Sequence, residues 1–380
     1  MIYFDNSATT KPYKEVLESF WKVSEDFFGN PSSLHGIGGK TERLLSQARA
    51  QIAGLLGVDA EEITFTSGGT ESNNLAIKGT AFGYKNRGRH LITTAVEHAS
   101  VRESMHQLEK HGFSVTFVPV DKEGRVNPED IRKSITDETI LVSVMHVNNE
   151  VGTIQPIMEI GEIVRAYPKV LFHVDGVQGA GKLPLDLKKA GVDMYSFSAH
   201  KFHGLKGSGG LYVKKGIKLE PVLSGGSQES GRRGGTENPA GAVAMAKALR
   251  ISLDKRADKY PVLLEIRKSL VEGLGNMAGI IVNTPNGGAA PHIINFSVPG
   301  IKSETFVHAL EEQGIYLSTT SACSSKKKSA SSTLIAMNVP DDVAGSAVRI
   351  SLSYENTLGE AIEVLKEIEK TVSRLGRVLN

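Results

Sequence analysis

Cysteine is nearly absent from this 380-residue chain, which has one, Cys323. A single thiol excludes an intrachain disulfide and any zinc or iron–sulfur site built from several cysteines of one chain. A reducing, cytoplasmic setting is expected. An excess of charge of one sign is also missing: 44 Lys and Arg against 42 Asp and Glu leave a formal net charge of +2. The chain therefore lacks the electrostatic footprint of a nucleic-acid or membrane-surface binder. No apolar run approaches the ~18 residues of a membrane span. The opening MIYFDNSATTKP has neither a basic segment followed by an apolar one nor an Arg-rich amphipathic leader, so secretion and organelle import are not expected. His200 and His203 stand three apart with no third ligand nearby, and no metal is expected.

Glycine is plentiful: 40 residues, about 10.5%, against a usual ~7%. Much of it lies in polar clusters, where a ligand-cradling protein would place it. β-Branched and apolar runs read as strands at Ile63–Thr66, His90–Thr94, Val115–Val118, Ile140–Met145, Val170–Asp175, Met194–Ser198 and Gly210–Val213. Helical spacing separates most of them, as in Leu44, Leu45, Ala48, Ile52, Leu55 and Leu56, a helix that should end at Gly57. Another helix should start after Pro156. Strands alternating with helices over residues 60–215 predict an α/β fold with a mostly parallel, doubly wound sheet.

The pattern changes near residue 240. Helical stretches run from Ala240 to about Leu253 and over Leu263–Leu274. Strands follow at Ile280–Val282, Ile293–Val298 and Val348–Leu352, and a C-terminal helix carries Ala361, Val364, Leu365, Ile368 and Val372 on one face. The expected organisation is a large domain over 15–255 with a smaller α+β domain from 1–14 and 256–380. Residues 318–333, STTSACSSKKKSASST, hold ten Ser/Thr and three Lys around the only thiol. Such a stretch buries too little apolar surface to offset its ordering entropy, which predicts a mobile loop.

Three strand ends carry chemistry. SGGTESNN (67–74) follows a strand and opens a helix, a turn that offers free N–H groups and a positive dipole end to a phosphate. Two other glycine clusters fail on spacing: GIGGKT (36–41) is not a P-loop, and the glycines at 204, 207, 209 and 210 do not fit GxGxxG. In FHVDGVQ the strand ends on Asp175, at the edge where open α/β folds bind ligands. In SAHKFHG, Lys201 sits just past another strand, placed to serve as a Schiff-base amine. Alone, the first two read equally well as a turn or a cap, and a lone Lys201 reads as a solvated surface charge. Together they supply what pyridoxal 5'-phosphate requires: an amine, a carboxylate for the pyridine nitrogen and a phosphate cup.

With these stand VEHAS (96–100), VNNEVG (147–152), RRGGTEN (232–238) and SAC (321–323). From YFDNSATT to AVRISLS (347–353) the chain resembles the cysteine desulfurases, pyridoxal-phosphate enzymes of fold type I in the class V aminotransferase group, in the subgroup with SAC on a long loop. The resemblance implies a seven-stranded, mostly parallel sheet in the large domain and conversion of L-cysteine to L-alanine. It implies that Lys201 bonds the cofactor, Asp175 pairs with the ring nitrogen, Gln178 donates to the ring oxygen and His98 stacks on the ring and carries protons. Gly69, Thr70, Ser198 and His200 would hold the phosphate, joined by Thr236 from the neighbouring subunit of a homodimer. Asn149 and Arg349 would bind the substrate carboxylate, with Asn149 also against the cofactor.

Cys323, its thiolate favoured by Lys326, Lys327 and Lys328, would take the sulfur as a persulfide and pass it to an acceptor protein of iron–sulfur assembly or tRNA thiolation. Four features depart from the family pattern: Thr320 where Gly is common, Leu205 where Pro is common, SLSY (351–354) in place of SLGR, and the run Lys326–Lys328. A class V aminotransferase, a selenocysteine lyase and a non-catalytic scaffold that keeps the fold stay open at this point.

Overall fold

The computed structural model describes residues 1–319 and 331–379. In chain order the strands are β1 (Ile2–Tyr3), β2 (Ile63–Thr66), β3 (His90–Thr94), β4 (Ser114–Val118), β5 (Thr139–Met145), β6 (Leu171–Asp175) and β7 (Met194–Ser198). They continue as β8 (Gly209–Val213), β9 (Ile281–Val282), β10 (Ile293–Ser297), β11 (Ile315–Tyr316), β12 (Ser318–Thr319) and β13 (Ala347–Ser351). The first large sheet has seven strands in the order β2-β8-β7-β6-β5-β3-β4. Pairing is parallel from β7 through β6, β5 and β3 to β4, while β8 runs antiparallel to both its neighbours. The expected strands match to within one residue at each end. β-Branched runs mark them because the sheet is covered on both faces; all seven residues of β5 are buried.

Since β8 opposes both β2 and β7, β2 points the same way as β7. The carboxyl ends of β2, β3, β5, β6 and β7 therefore share one edge. Chain direction across the sheet reverses between β3 and β5, because β3 leads outward to β4 and β5 leads back to β6. This reversal opens a crevice at the carboxyl edge, the usual ligand position in open α/β sheets.

Helices pack on the sheet by the faces their spacing predicts. The helix Gly36–Leu56 buries Leu45, Ala48, Ile52 and Ala53 and ends where Gly57 adopts a φ of +72°, a left-handed conformation that costs glycine little. The helix Ile157–Arg165 buries Ile160, Ile163 and Val164, each worth roughly 1.5–3 kcal/mol when fully removed from water.

Two expectations need correction. The stretches around Ala240–Leu253 and Leu263–Leu274 are one continuous helix, Pro239–Gly275, which runs through Pro261. Its first half buries Ala244, Met245, Ala248 and Leu249 in the core of the seven-stranded sheet. Its second half buries Leu263, Ile266, Leu270 and Leu274 in a separate core with Ile2, Phe4, Ile294 and Val364. The helix passes between cores, so the apolar periodicity lapses where the backbone does not. Pro261, which lacks the N–H of a helix-interior residue, is exposed at the crossing between the two cores.

The second correction concerns 318–333, expected as a single loop. Ser318 and Thr319 form β12 and pair with Arg349 and Val348. Ser331 caps the helix Ser332–Ala336, its Oγ accepting from the Leu334 N–H at 3.1 Å. Serine serves well at a cap, and backbone pairing needs no apolar side chain. Residues 320–330, with Thr320, Cys323 and Lys326–Lys328, lie outside the described residues. The antiparallel sheet β12-β13-β10-β9 and the β1–β11 pair complete this part of the fold.

Candidate active site

A cavity of about 490 Å3 lies at the crevice, lined by ten residues singled out in the sequence: Gly69, Thr70, His98, Asn149, Asp175, Gln178, Ser198, His200, Lys201 and Arg349. Topology explains the convergence. Asp175 ends β6, Ser198 ends β7, Lys201 closes the turn after it, Gly69 and Thr70 open the helix after β2, and His98 caps the helix after β3. Arg349 reaches in from β13 of the other sheet. Thr236 is exposed and does not line this cavity, and Cys323 is outside the described residues.

Asp175 is buried and accepts two hydrogen bonds, from Asn73 Nδ2 at 2.7 Å and from the Val177 N–H at 3.0 Å. Asn73 Nδ2 also donates to Ser100 Oγ at 2.9 Å, and Ser100 Oγ lies 2.8 Å from His98 Nδ1. His98 Nδ1 accepts the Ser100 N–H at 3.1 Å, so the neutral ring carries its proton on Nε2 and the Ser100 hydroxyl donates to Nδ1. Burial, aided by the cations of Lys201 and Arg102, holds His98 below the usual histidine range even though Asp175 opposes it. The ring is neutral near pH 7.

Lys201 Nζ donates to the Ser7 carbonyl at 2.5 Å and the Ala8 carbonyl at 2.9 Å. Gln178 Nε2 donates to the same Ser7 carbonyl at 3.0 Å. The N-terminal segment thus anchors the amine by its backbone. His200 contacts Thr9 Oγ1 at 3.2 Å, and burial with the charges of Lys201, Lys206 and Lys182 pushes it down to about 4. Arg349 donates from Nη1 to the Asn149 carbonyl at 2.8 Å and from Nη2 to Asp5 Oδ1 at 3.0 Å.

Sequence reasoning missed Asn73, Ser100, Glu97 and the Ser7 carbonyl. Glu97 lines the cavity, and its Oε1 accepts from Thr94 Oγ1 at 2.7 Å and the Met145 N–H at 2.9 Å. Burial pushes its carboxyl up to about 8, so at pH 7 it is a neutral acid with its proton on Oε2. Asn73, Ser100 and Glu97 sit inside the SGGTESNN and VEHAS motifs, and that membership was the available signal.

The residues fit pyridoxal phosphate. The cavity volume lies within the ~300–1,000 Å3 of small-molecule sites. Ser7 Oγ, Asn73 Oδ1, Glu97 Oε2 and Arg349 Nε are buried polar atoms on lining residues with no protein partner. The helix opening at Gly69 points its free N–H groups and positive end at the cavity beside the hydroxyls of Thr70 and Ser198, a donor set for a phosphate. Its turn is close-packed: a Cβ on Gly69 would lie 2.6 Å from Val177 Cγ2, and one on Gly209 would lie 2.5 Å from Gly68 Cα. Lys201 offers the amine, and Asp175, held by two donors, offers the carboxylate.

That donor set on this topology defines the class, a fold-type I pyridoxal-phosphate enzyme. The aminotransferase class-V family matches residues 2–365. A NifS/IcsS protein homolog of Lactobacillus delbrueckii subsp. bulgaricus is 51% identical over 380 residues, covering 100% of this chain and 99% of the relative. Cysteine desulfurase IscS of Dictyoglomus turgidum is 42% identical, covering 98% and 95%. A solved NifS-like protein superposes with a TM-score of 0.92 at 41% identity, covering 98% of this chain and 99% of that one. The chain belongs to the aminotransferase class-V family and, within it, to the cysteine desulfurases, enzymes that depend on pyridoxal phosphate.

Proposed function

We propose that this desulfurase takes L-cysteine into the cavity, moves its sulfur to Cys323 and releases L-alanine. The observation that carries the sulfur step is that Ser318, Thr319, Ser331 and Ser332, the described residues on either side of Cys323, all line the cavity. Cys323 follows Thr319 by four residues, a length that spans up to about 14 Å and is long enough for its thiol to meet a substrate held there.

Lys201 would hold the cofactor at its aldehyde carbon, Asp175 at the ring nitrogen, Gln178 at the ring oxygen and His98 against the ring face beside Asn149. Gly69, Thr70, Ser198 and His200 would hold the phosphate. When bound, pyridoxal phosphate supplies the electron sink that takes up the Cα–H electron pair and activates the Cβ–S bond. The Lys201 amine takes the Cα proton. Arg349 and Asn149 orient the substrate carboxylate, the guanidinium as a fork. The Cys323 thiolate attacks the substrate sulfur, so that an S–S bond forms as the Cβ–S bond breaks. Neutral His98, with its proton on Nε2, is placed to carry a proton to the three-carbon fragment. Cysteine and the Cys323 thiol thus become alanine and a Cys323 persulfide, with no external oxidant or reductant.

The finer reading includes a homodimer in which Thr236 reaches the partner's cofactor phosphate. Its support is the exposure of Thr236 and of the apolar side chains Trp21, Phe28, Leu34 and Ile37. It includes a cofactor-binding domain over 15–255 with a smaller domain from 1–14 and 256–380, a cytoplasmic location, and an acceptor protein of iron–sulfur assembly or tRNA thiolation. No described helix is long and apolar enough to cross a membrane.

The test incubates cofactor-loaded protein with sulfur-labelled cysteine and follows the Cys323 peptide by mass spectrometry while alanine is measured. Label is expected on Cys323, and Cys323→Ser should lose both label and alanine. Undiminished alanine formation by Cys323→Ser would overturn the sulfur step.

A further inference from the structure

Behind the cavity wall lies a buried lysine whose strongest charged neighbours are cations. Lys182 is 6% exposed, and the charges that act on it most are those of Lys201 and Arg349. Burial and these cations push it down to about 7. It borders a void of about 10 Å3 shared with His292 and Tyr354, which leaves room for one water at most. Its backbone is pinned: its N–H donates to the Gly179 carbonyl at 3.0 Å, and its carbonyl accepts from Tyr354 Oη at 3.2 Å. Holding an ammonium in such a place is costly.

The Nζ donates to Gln178 Oε1 at 3.5 Å. A side-chain amide has two unlike ends; the Ser7 carbonyl can only accept and takes the NH2 end, and the Lys182 Nζ donates to the oxygen end, so the two contacts together set which way Gln178 faces. The oxygen faces Lys182, and the NH2 faces the Ser7 carbonyl and the cavity. We propose that Lys182 is a positioning residue that fixes the orientation of the Gln178 amide from behind the wall, so that Gln178 meets the cofactor as a hydrogen-bond donor to its anionic ring oxygen. Without Lys182 the amide keeps the Ser7 carbonyl at its NH2 end but loses the donor at its oxygen end, which weakens the hold on its orientation toward that anion. The inference rests on the proposed placement of Gln178 at the ring oxygen.

The experiment titrates the cofactor-free protein with pyridoxal phosphate and records the visible band of the loaded protein, for wild type, Lys182→Met, Gln178→Leu and the double variant. A hydrogen bond to a charged oxygen is worth at least roughly tenfold in affinity, so each single variant should weaken binding by that factor and shift the band. The double variant should be no weaker than the worse single one, because the two side chains act as one unit. Wild-type affinity and band in Lys182→Met, alongside a weakened Gln178→Leu, would overturn the role of Lys182 alone, and so would effects that multiply in the double variant. No effect of Gln178→Leu would remove the Gln178 placement and the proposal with it. Exchanging an uncompensated buried ammonium for an apolar side chain of similar volume should leave the fold intact or more stable. A Lys182→Met chain that fails to fold would therefore also count against the proposal.

Discussion

Asn73 is the residue through which the site's electrostatics can be tested most sharply. Its amide nitrogen joins Asp175 at 2.7 Å to Ser100 at 2.9 Å, and through Ser100 to His98. Asn73→Asp is nearly isosteric, yet it replaces that donor with an oxygen of like charge against Asp175. Two carboxylates so close cannot both stay ionised, so the pair shares a proton and its upper apparent pKa rises. Asp175 then no longer offers a full negative charge to the cofactor. The hydrogen bond lost in either variant is worth about 1.5–3 kcal/mol, a fall of roughly 10- to 150-fold in turnover, and the like charge in Asn73→Asp adds to it. Alanine formation at saturating cofactor measures it, with the visible absorbance of the bound cofactor confirming occupancy. Asn73→Ala removes both N–H bonds without adding charge and should lose less than Asn73→Asp. Turnover of Asn73→Asp within about twofold of wild type, or no worse than that of Asn73→Ala, would refute this account of Asp175.

Glu97 gives a pH signature. Its carboxyl titrates at about 8 in the fold and near 4.3 in an unfolded chain. The native state therefore holds the extra proton between those values, and this stability is lost as pH rises through 8. Glu97→Gln keeps the acceptor for Thr94 and Met145 but does not titrate. Its melting temperature relative to wild type should rise from pH 5 to pH 9, and a constant difference would contradict the burial argument. Arg349→Lys exchanges the planar fork for a point charge; KM for cysteine should rise at least roughly tenfold with a smaller change in kcat, and an unchanged KM would remove Arg349 from carboxylate binding.

Much of this was legible in the sequence because the seven-stranded sheet is buried on both faces, which forces near-continuous β-branched runs such as Ile140–Met145. Asp175 and Lys201 were legible because the first ends such a run and the second closes the turn that follows one. Asn73 was not, since its role depends on a partner 102 positions away, and no local spacing reports that. The anchor of Lys201 is a backbone carbonyl at Ser7, which carries no side-chain signature. Ser318 and Thr319 read as loop by composition but pair with β13 through main-chain groups. The helix Pro239–Gly275 read as two because each half faces a different core. Lys182 carries no local signal of its burial, which depends on packing against residues distant in sequence such as His292 and Tyr354.

The central claim is that this cavity holds pyridoxal phosphate on Lys201. Borohydride treatment of the cofactor-loaded protein, followed by peptide mass spectrometry, tests it most directly. The account predicts a stoichiometric cofactor adduct on the peptide containing Lys201 and its loss in Lys201→Ala. An adduct on Lys182 or any other lysine, or none at saturating cofactor, would contradict it.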